Sequence, residues 1–292
     1  MKKGTSVRVG SRGTEFCRAQ TRVVVERLQA QHADVTFEIV DLPSDARGDA
    51  VLDAVAAGVC DVHVRGAGEL PLELPEGLVI GACTERSDPF DVLVTRDGAL
   101  LEELPAGAAL AVGSARVKVQ IAAFREDVTV RVFPGTVVEM WTALENGEVA
   151  GFVAAALDVE TLGWQSSVSE VFTPDVVLPG AGQGSYAILA RTGDAGNLSV
   201  VRALDHDVTH RIVDAERAFL RELRVDPAHP VAVHGYFDDS SLVLEALLAD
   251  EVSGAVLRDD LDGTPEEGAD LGVRLAKLVL ADGARDYLAG YR

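Results

Sequence analysis

Val7-Arg8-Val9-Gly10, then Glu15-Phe16-Cys17-Arg18-Ala19-Gln20-Thr21-Arg22-Val23-Val24-Val25-Glu26-Arg27-Leu28-Gln29-Ala30, then Val35 to Val40, sets the architecture of the chain. Its two ends are short apolar runs of strand length. Between them the apolar residues recur at a spacing near 3.6, as in a helix with one buried face. Strand, helix, strand in that order opens an α/β domain. Outward from it the alternation continues with a helix at Ala50 to Ala57 and strands at Val59 to Val64, Leu78 to Ala82 and Asp91 to Thr95. It then repeats on a second scale. Leu110-Ala111-Val112-Gly113 leads into a helix from Ser114 to Phe124, a strand from Val128 to Val132, a helix from Thr136 to Glu145 and a strand from Ala150 to Ala154. Two α/β units therefore follow one another, with Ser87-Asp88-Pro89 as the crossover.

Leu178-Pro179-Gly180-Ala181-Gly182-Gln183-Gly184 is a turn, since a proline and three glycines exclude regular structure, and it carries the chain back toward the first unit. Beyond it lie a helix from Asp214 to Leu223, strands at Val231 to Tyr236, Leu242 to Leu248 and Gly254 to Arg258, and a helix from Ala269 to Leu280. These read as a small α+β domain. The expected partition is 1–88 with 184–204 as domain 1, 89–183 as domain 2, and 205–292 as domain 3.

The chain has 292 residues, 48% of them hydrophobic, enough for ordinary buried cores. Its 26 basic and 47 acidic residues give a net charge of -21, which opposes phosphate backbones and anionic membranes. Nucleic acid and membrane partners are not expected. Lysine is scarce, so most positive charge is arginine, whose planar fork suits carboxylates. Cys17, Cys60 and Cys83 are odd in number and widely spaced, fitting neither a disulfide framework nor a metal site. A cytoplasmic location and no metal are the expectations, and no run approaches the length of a membrane span.

Several local signatures occur in a fixed order: Gly10-Ser11-Arg12 with Gln20 behind it, Arg47-Gly48-Asp49, Cys83-Thr84-Glu85-Arg86-Ser87-Asp88-Pro89, the Leu178 to Gly184 turn, and Ala215-Glu216-Arg217-Ala218-Phe219. Together they resemble the hydroxymethylbilane synthase (porphobilinogen deaminase) family over nearly the whole chain. The resemblance implies three domains, the first two like type II periplasmic binding proteins around a cleft. It also implies a dipyrromethane cofactor held through a cysteine thioether, one catalytic Asp, and many Arg and Lys residues binding acetate and propionate groups.

Four departures accompany it. In Leu223-Arg224-Val225-Asp226-Pro227-Ala228-His229-Pro230, Pro227 stands where the resemblance places the cofactor cysteine, and no thiol follows Cys83. In Val64-Arg65-Gly66-Ala67-Gly68-Glu69-Leu70-Pro71, Glu69 replaces the Asp, Gly68 a Lys, and Arg65 a His. Arg12, Arg116 and Arg131 keep the expected cations, while Val117, Met140 and Thr161 stand where further arginines are expected. The segment between Asp49 and Asp61 is too short for the family's mobile lid.

The expectation is accordingly a divergent family member without dipyrromethane that acts on or binds one small carboxylated molecule, such as a monopyrrole. Glu69 is the candidate acid–base group, and Arg12, Arg116, Arg131, Ser114 and Arg65 are candidate substrate contacts. Arg116 and Ser114 open a helix, whose N-terminus favours anions, although Ser114 also reads as an N-cap. His63 alternates with apolar residues and reads as packed, and Cys17 reads as a buried thiol. Two alternatives stand beside this: a noncatalytic binding or regulatory protein, and a true synthase with altered cofactor anchoring.

Overall fold

The structure is a computed structural model that describes residues 5–42, 49–225, 229–250 and 254–288. Arg47, Gly48 and Pro227 of the sequence analysis lie outside the described residues. Along the chain the elements are β1 (Thr5–Arg12), α1 (Glu15–Gln31), β2 (Val35–Leu42), α2 (Asp49–Ala56), β3 (Val62–Gly66), β4 (Leu78–Cys83), β5 (Asp91–Thr95), β6 (Ala109–Val112), α3 (Ala115–Phe124), β7 (Thr129–Val132), α4 (Val137–Asn146) and β8 (Gly151–Ala155). There follow α5 (Ala156–Thr161), β9 (Glu170–Val171), β10 (Tyr186–Arg191), α6 (Ala195–Val201), α7 (Asp207–Leu223), β11 (Val231–Asp238), β12 (Ser241–Ala249), β13 (Val256–Gly263), α8 (Gly268–Ala281) and α9 (Ala284–Leu288).

The chain forms two compact units, one of residues 1–86 and 185–210, the other of 87–184 and 211–292. In the first unit the sheet order is β2-β1-β3-β10-β4. Strands β1, β2 and β3 run parallel, whereas β10 is antiparallel to both β3 and β4. The Tyr186 to Arg191 strand is not named in the sequence analysis, because its continuous apolar run directly follows the glycine-rich turn and shows no alternation. Val7, Val9, Val62, Ala187, Ile188 and Leu189 are fully or almost fully buried, as both faces of such a sheet are covered.

In the second unit a five-stranded sheet has the order β7-β6-β8-β5-β9, with β5 antiparallel to β8 and β9. Its order repeats that of the first sheet, strand for strand, with β6, β7 and β8 in the places of β1, β2 and β3 and β5 in that of β10. Leu93, Leu110, Val112, Val117, Ile121, Val153 and Phe172 form its core. Trp141 on α4 packs edge-on to Phe152 and lies with its ring centroid 4.4 Å from that of Trp164. The same unit holds the antiparallel sheet β11-β12-β13, joined to the larger sheet's layer through Val119, Leu178, Ala232, Leu247 and Ala249. The expected fold class, two α/β domains and a small C-terminal α+β sheet domain, is what the chain forms.

Candidate functional site

Arg12 ends β1, and Gly66 ends the neighbouring parallel strand β3. Side chains at the C-terminal ends of parallel strands face the crevice where open α/β sheets bind ligands. After Gly66 a single 3-10 turn, Ala67–Glu69, is held by a hydrogen bond from the Ala67 N–H to the Ser185 carbonyl, 2.9 Å. That turn brings Glu69 back beside β3. A Cβ on Gly66 would come within 3.0 Å of Glu69 Oε1, so the glycine gives the carboxylate its room.

Glu69 accepts from three side chains on three elements. Arg12 Nη2 donates to Oε2 at 2.6 Å, Arg65 Nε to Oε2 at 3.3 Å, and Gln20 Nε2 of α1 to Oε1 at 3.2 Å. Three of the candidates, Arg12, Arg65 and Glu69, are thus brought together in one cluster. Gln20, seen in the sequence only as a landmark behind Arg12, is the member the sequence analysis does not assign, and nothing in its helical spacing would reveal the contact. Two guanidiniums share one carboxylate, which leaves one positive charge in excess. Arg65 is held below its usual guanidinium pKa chiefly by burial, and by Arg12 beside it, against the pull of Glu69. The first turn of α1, capped by Thr14, opens three residues past Arg12, and Glu15 within it sets a carboxylate against the positive end of the helix dipole.

The other candidates lie in the second unit. Ser114 is the N-cap of α3, its Oγ accepting from the Val117 N–H at 3.3 Å. Arg116 is buried and bonded bidentately to Asp91, Nη1 to Oδ2 at 2.9 Å and Nη2 to Oδ1 at 3.0 Å. Nη1 also donates to the Leu178 carbonyl at 2.7 Å and Nη2 to Gln183 Oε1 at 2.9 Å. Gln183 closes the ring by donating to Asp91 Oδ2 at 3.0 Å and accepting from the Gly180 N–H. Arg116 therefore joins α3, β5 and the glycine-rich turn through an internal ion pair. Asp91 and Gln183 are missed by the sequence analysis, since they lie 25 and 67 residues from Arg116. Arg131 stands exposed on the edge strand β7. Val117 and Met140 are core residues, 2% and 3% exposed.

Cys60 and Cys83 are buried and Cys17 is half-buried. Among the described residues no group of three or more His, Cys, Asp and Glu is placed to hold a metal, and no helix is long and apolar enough to cross a membrane.

The repeated sheet order and the appended sheet define the class: an α/β protein with two type II periplasmic-binding-protein-like domains and a small C-terminal sheet domain. The family model described as porphobilinogen deaminase, dipyromethane cofactor binding domain, matches residues 49–198. Porphobilinogen deaminase of Thermus thermophilus is 36% identical, with 97% of this chain and 98% of that one covered. That of Desulforamulus reducens is 30% identical, with 98% of each chain covered. The chain belongs to the porphobilinogen deaminase family. Among solved structures, the methionine binding protein MetQ aligns with 72% of this chain and 94% of that one, at 12% identity and a TM-score of 0.46. The periplasmic aliphatic sulphonate binding protein SsuA from Escherichia coli aligns with 75% and 70%, at 16% identity and a TM-score of 0.42.

Proposed function

We propose that this member of the porphobilinogen deaminase family binds one small carboxylated molecule, of monopyrrole size, at the Arg12–Arg65–Glu69 cluster, and that it does so without a thioether-linked dipyrromethane. The observation that carries the proposal is the cluster's unbalanced charge: two guanidiniums converge on one carboxylate, and a ligand carboxylate neutralises the remainder. Each charge-assisted bond of that kind contributes about 1.5 to 3 kcal/mol. Arg12 and Arg65 hold the anion, Gln20 and Glu69 fix the two forks, and Arg116 serves as a strut within its own unit.

The described residues fit a thioether-linked oligopyrrole poorly. No thiol follows Cys83, Cys60 and Cys83 are buried, the half-buried Cys17 lies on α1 far from the place the resemblance gives the attachment cysteine, and Val117 and Met140 lie in the core where the resemblance places cations. No chemical step is therefore routed through such a group. A noncatalytic binder is favoured over a proton-transfer enzyme by one feature of Glu69. Both its oxygens already accept bonds from Arg12, Arg65 and Gln20, so the carboxylate is arranged as an anionic brace.

The test is a titration of the purified protein with porphobilinogen, followed by calorimetry and intact mass. One equivalent should bind, Arg12→Ala should weaken binding about tenfold or more, as the loss of one charge-assisted bond implies, and the mass should match the unmodified chain. An added dipyrromethane, or a linear tetrapyrrole product, sinks the reading. Glu69→Gln separates brace from catalyst: slower turnover at unchanged affinity would restore a proton-transfer role.

A further inference from the structure

His63 lies on β3 two residues before Arg65, so both side chains leave the sheet on the same face. Arg65 and Gln20 of α1 both reach Glu69, so the face that carries Arg65 borders the cluster. The imidazole is 2% exposed. Its Nδ1 lies 2.8 Å from the Gly10 carbonyl oxygen on β1. A carbonyl oxygen only accepts, so Nδ1 carries the ring proton and Nε2 bears a lone pair. Nε2 is fully covered, and among the described residues nothing donates to it. Buried acceptors without a donor are uncommon, since each forfeits its bond to water. Arg65 is its next neighbour on that face of β3 and in turn reaches Glu69, and the charges of Arg65, Arg12 and Glu69 all act on the ring. Burial, with the two guanidiniums, holds its pKa at about 4, so it is neutral near pH 7.

We propose that His63 is an acceptor subsite of the Arg12–Arg65 cluster, its Nε2 receiving an N–H or O–H from the same molecule whose carboxylate the guanidiniums hold. The proposal rests on the binding reading above and names the ligand class more narrowly: a carboxylate that also carries a hydrogen-bond donor. His63 can only accept at this position, because its single proton is committed to Gly10. A ligand presenting a carbonyl or ether oxygen there leaves two acceptors facing one another, and one presenting a methyl group leaves the nitrogen without a partner. Since Nε2 is covered, a bond formed there is shielded from water.

Pyrrole-3-acetic acid and its N-methyl analogue are matched probes, differing in the ring N–H. Calorimetry on the full chain should show the N–H probe binding about tenfold more tightly, the factor that one buried hydrogen bond supplies. In the unmodified protein labelled with 15N-histidine, the Nε2 resonance of His63 should move on addition of the N–H probe and stay in place with the N-methyl probe. In His63→Phe the preference should fall to about one, because the ring shape is kept and the acceptor is lost. Equal affinities in the unmodified protein, or an unmoved Nε2 resonance, overturn the subsite. If Arg12→Ala weakens both probes while His63→Phe keeps the preference, the subsite alone falls. If Arg12→Ala weakens neither, the binding reading falls and the subsite with it.

Discussion

Among single residues, Arg116 and Arg12 are both candidate anion-binding arginines, yet their surroundings differ. Arg12 is shared between Glu69 and open space, with its side chain 23% exposed, while Arg116 and Asp91 are 9% and 3% exposed. Breaking a buried pair strands a charge, so Arg116→Ala should cost about 3–5 kcal/mol of stability in denaturant titrations. The Asp91→Ala, Arg116→Ala double variant should lose less than the two single losses added together. A loss within about 0.5 kcal/mol for Arg116→Ala, the usual range of a surface change, would show that the pair is not a strut. His63 gives a second prediction. In the unfolded chain it titrates near 6.5 and in the fold near 4, so above 6.5 both states are neutral there. As pH falls from 6.5 toward 4 the unfolded chain takes up a proton that the folded one refuses. Stability therefore declines with falling pH, by about 3 kcal/mol at most. The same variant, His63→Phe, should flatten the stability profile in that window, and an unchanged slope would contradict it. The sequence makes Arg12, Arg65 and Glu69 legible because they sit in recognisable motifs. It hides Gln20 as a partner and the Asp91–Arg116–Gln183 ring, since both depend on elements that are distant in sequence meeting in space.

Among the elements, the first helix is read to within one residue and the strands around it to within two or three, because a 3.6 period and short apolar runs report directly on burial. The C-terminal sheet is read less well. The apolar pattern predicts a last strand from Gly254 to Arg258, whereas β13 runs from Val256 to Gly263. Its aspartates break the apolar pattern, but on this edge strand Asp260 and Asp262 face solvent while Asp259 shares the half-buried face with Leu257 and Leu261, and pairing with β12 carries the strand on to Gly263 opposite Leu242. α7 begins at Asp207 rather than Asp214, its early turns held by buried Thr209 and Ile212. Gly272 on α8 carries no signal in the sequence pattern, yet it sets the closeness of α8 to α7. A Cβ there would overlap the Ala215 carbonyl and come within 3.0 Å of the Phe219 nitrogen. Gly272→Ala should therefore destabilise the protein by about 1–3 kcal/mol, despite alanine's better helix propensity. A variant as stable as the parent, or more so, would mean that the two helices separate freely.

For the molecule as a whole, the acid excess is the dominant long-range force. A charge of -21 repels itself at low ionic strength, and salt screens that repulsion over about 10 Å at 0.1 M. The melting temperature should rise by a few degrees between about 10 mM and 150 mM sodium chloride; a fall would indicate that attractive ion pairs outweigh the repulsion. The large-scale plan of two successive α/β units is legible because the strand–helix rhythm occurs twice. The repeated sheet order is not, because β5 and β10 each join a sheet antiparallel to it. One further consequence follows from the packing of Trp141 on Trp164. These are the chain's two tryptophans, and both lie in the unit of residues 87–184 and 211–292. Indole emission and its near-ultraviolet dichroism are therefore silent on residues 1–86 and 185–210, while the far-ultraviolet signal reads the backbone of both. Recording the two together during one thermal scan turns a pair of aromatic rings into a clock that tells which half of the chain melts first.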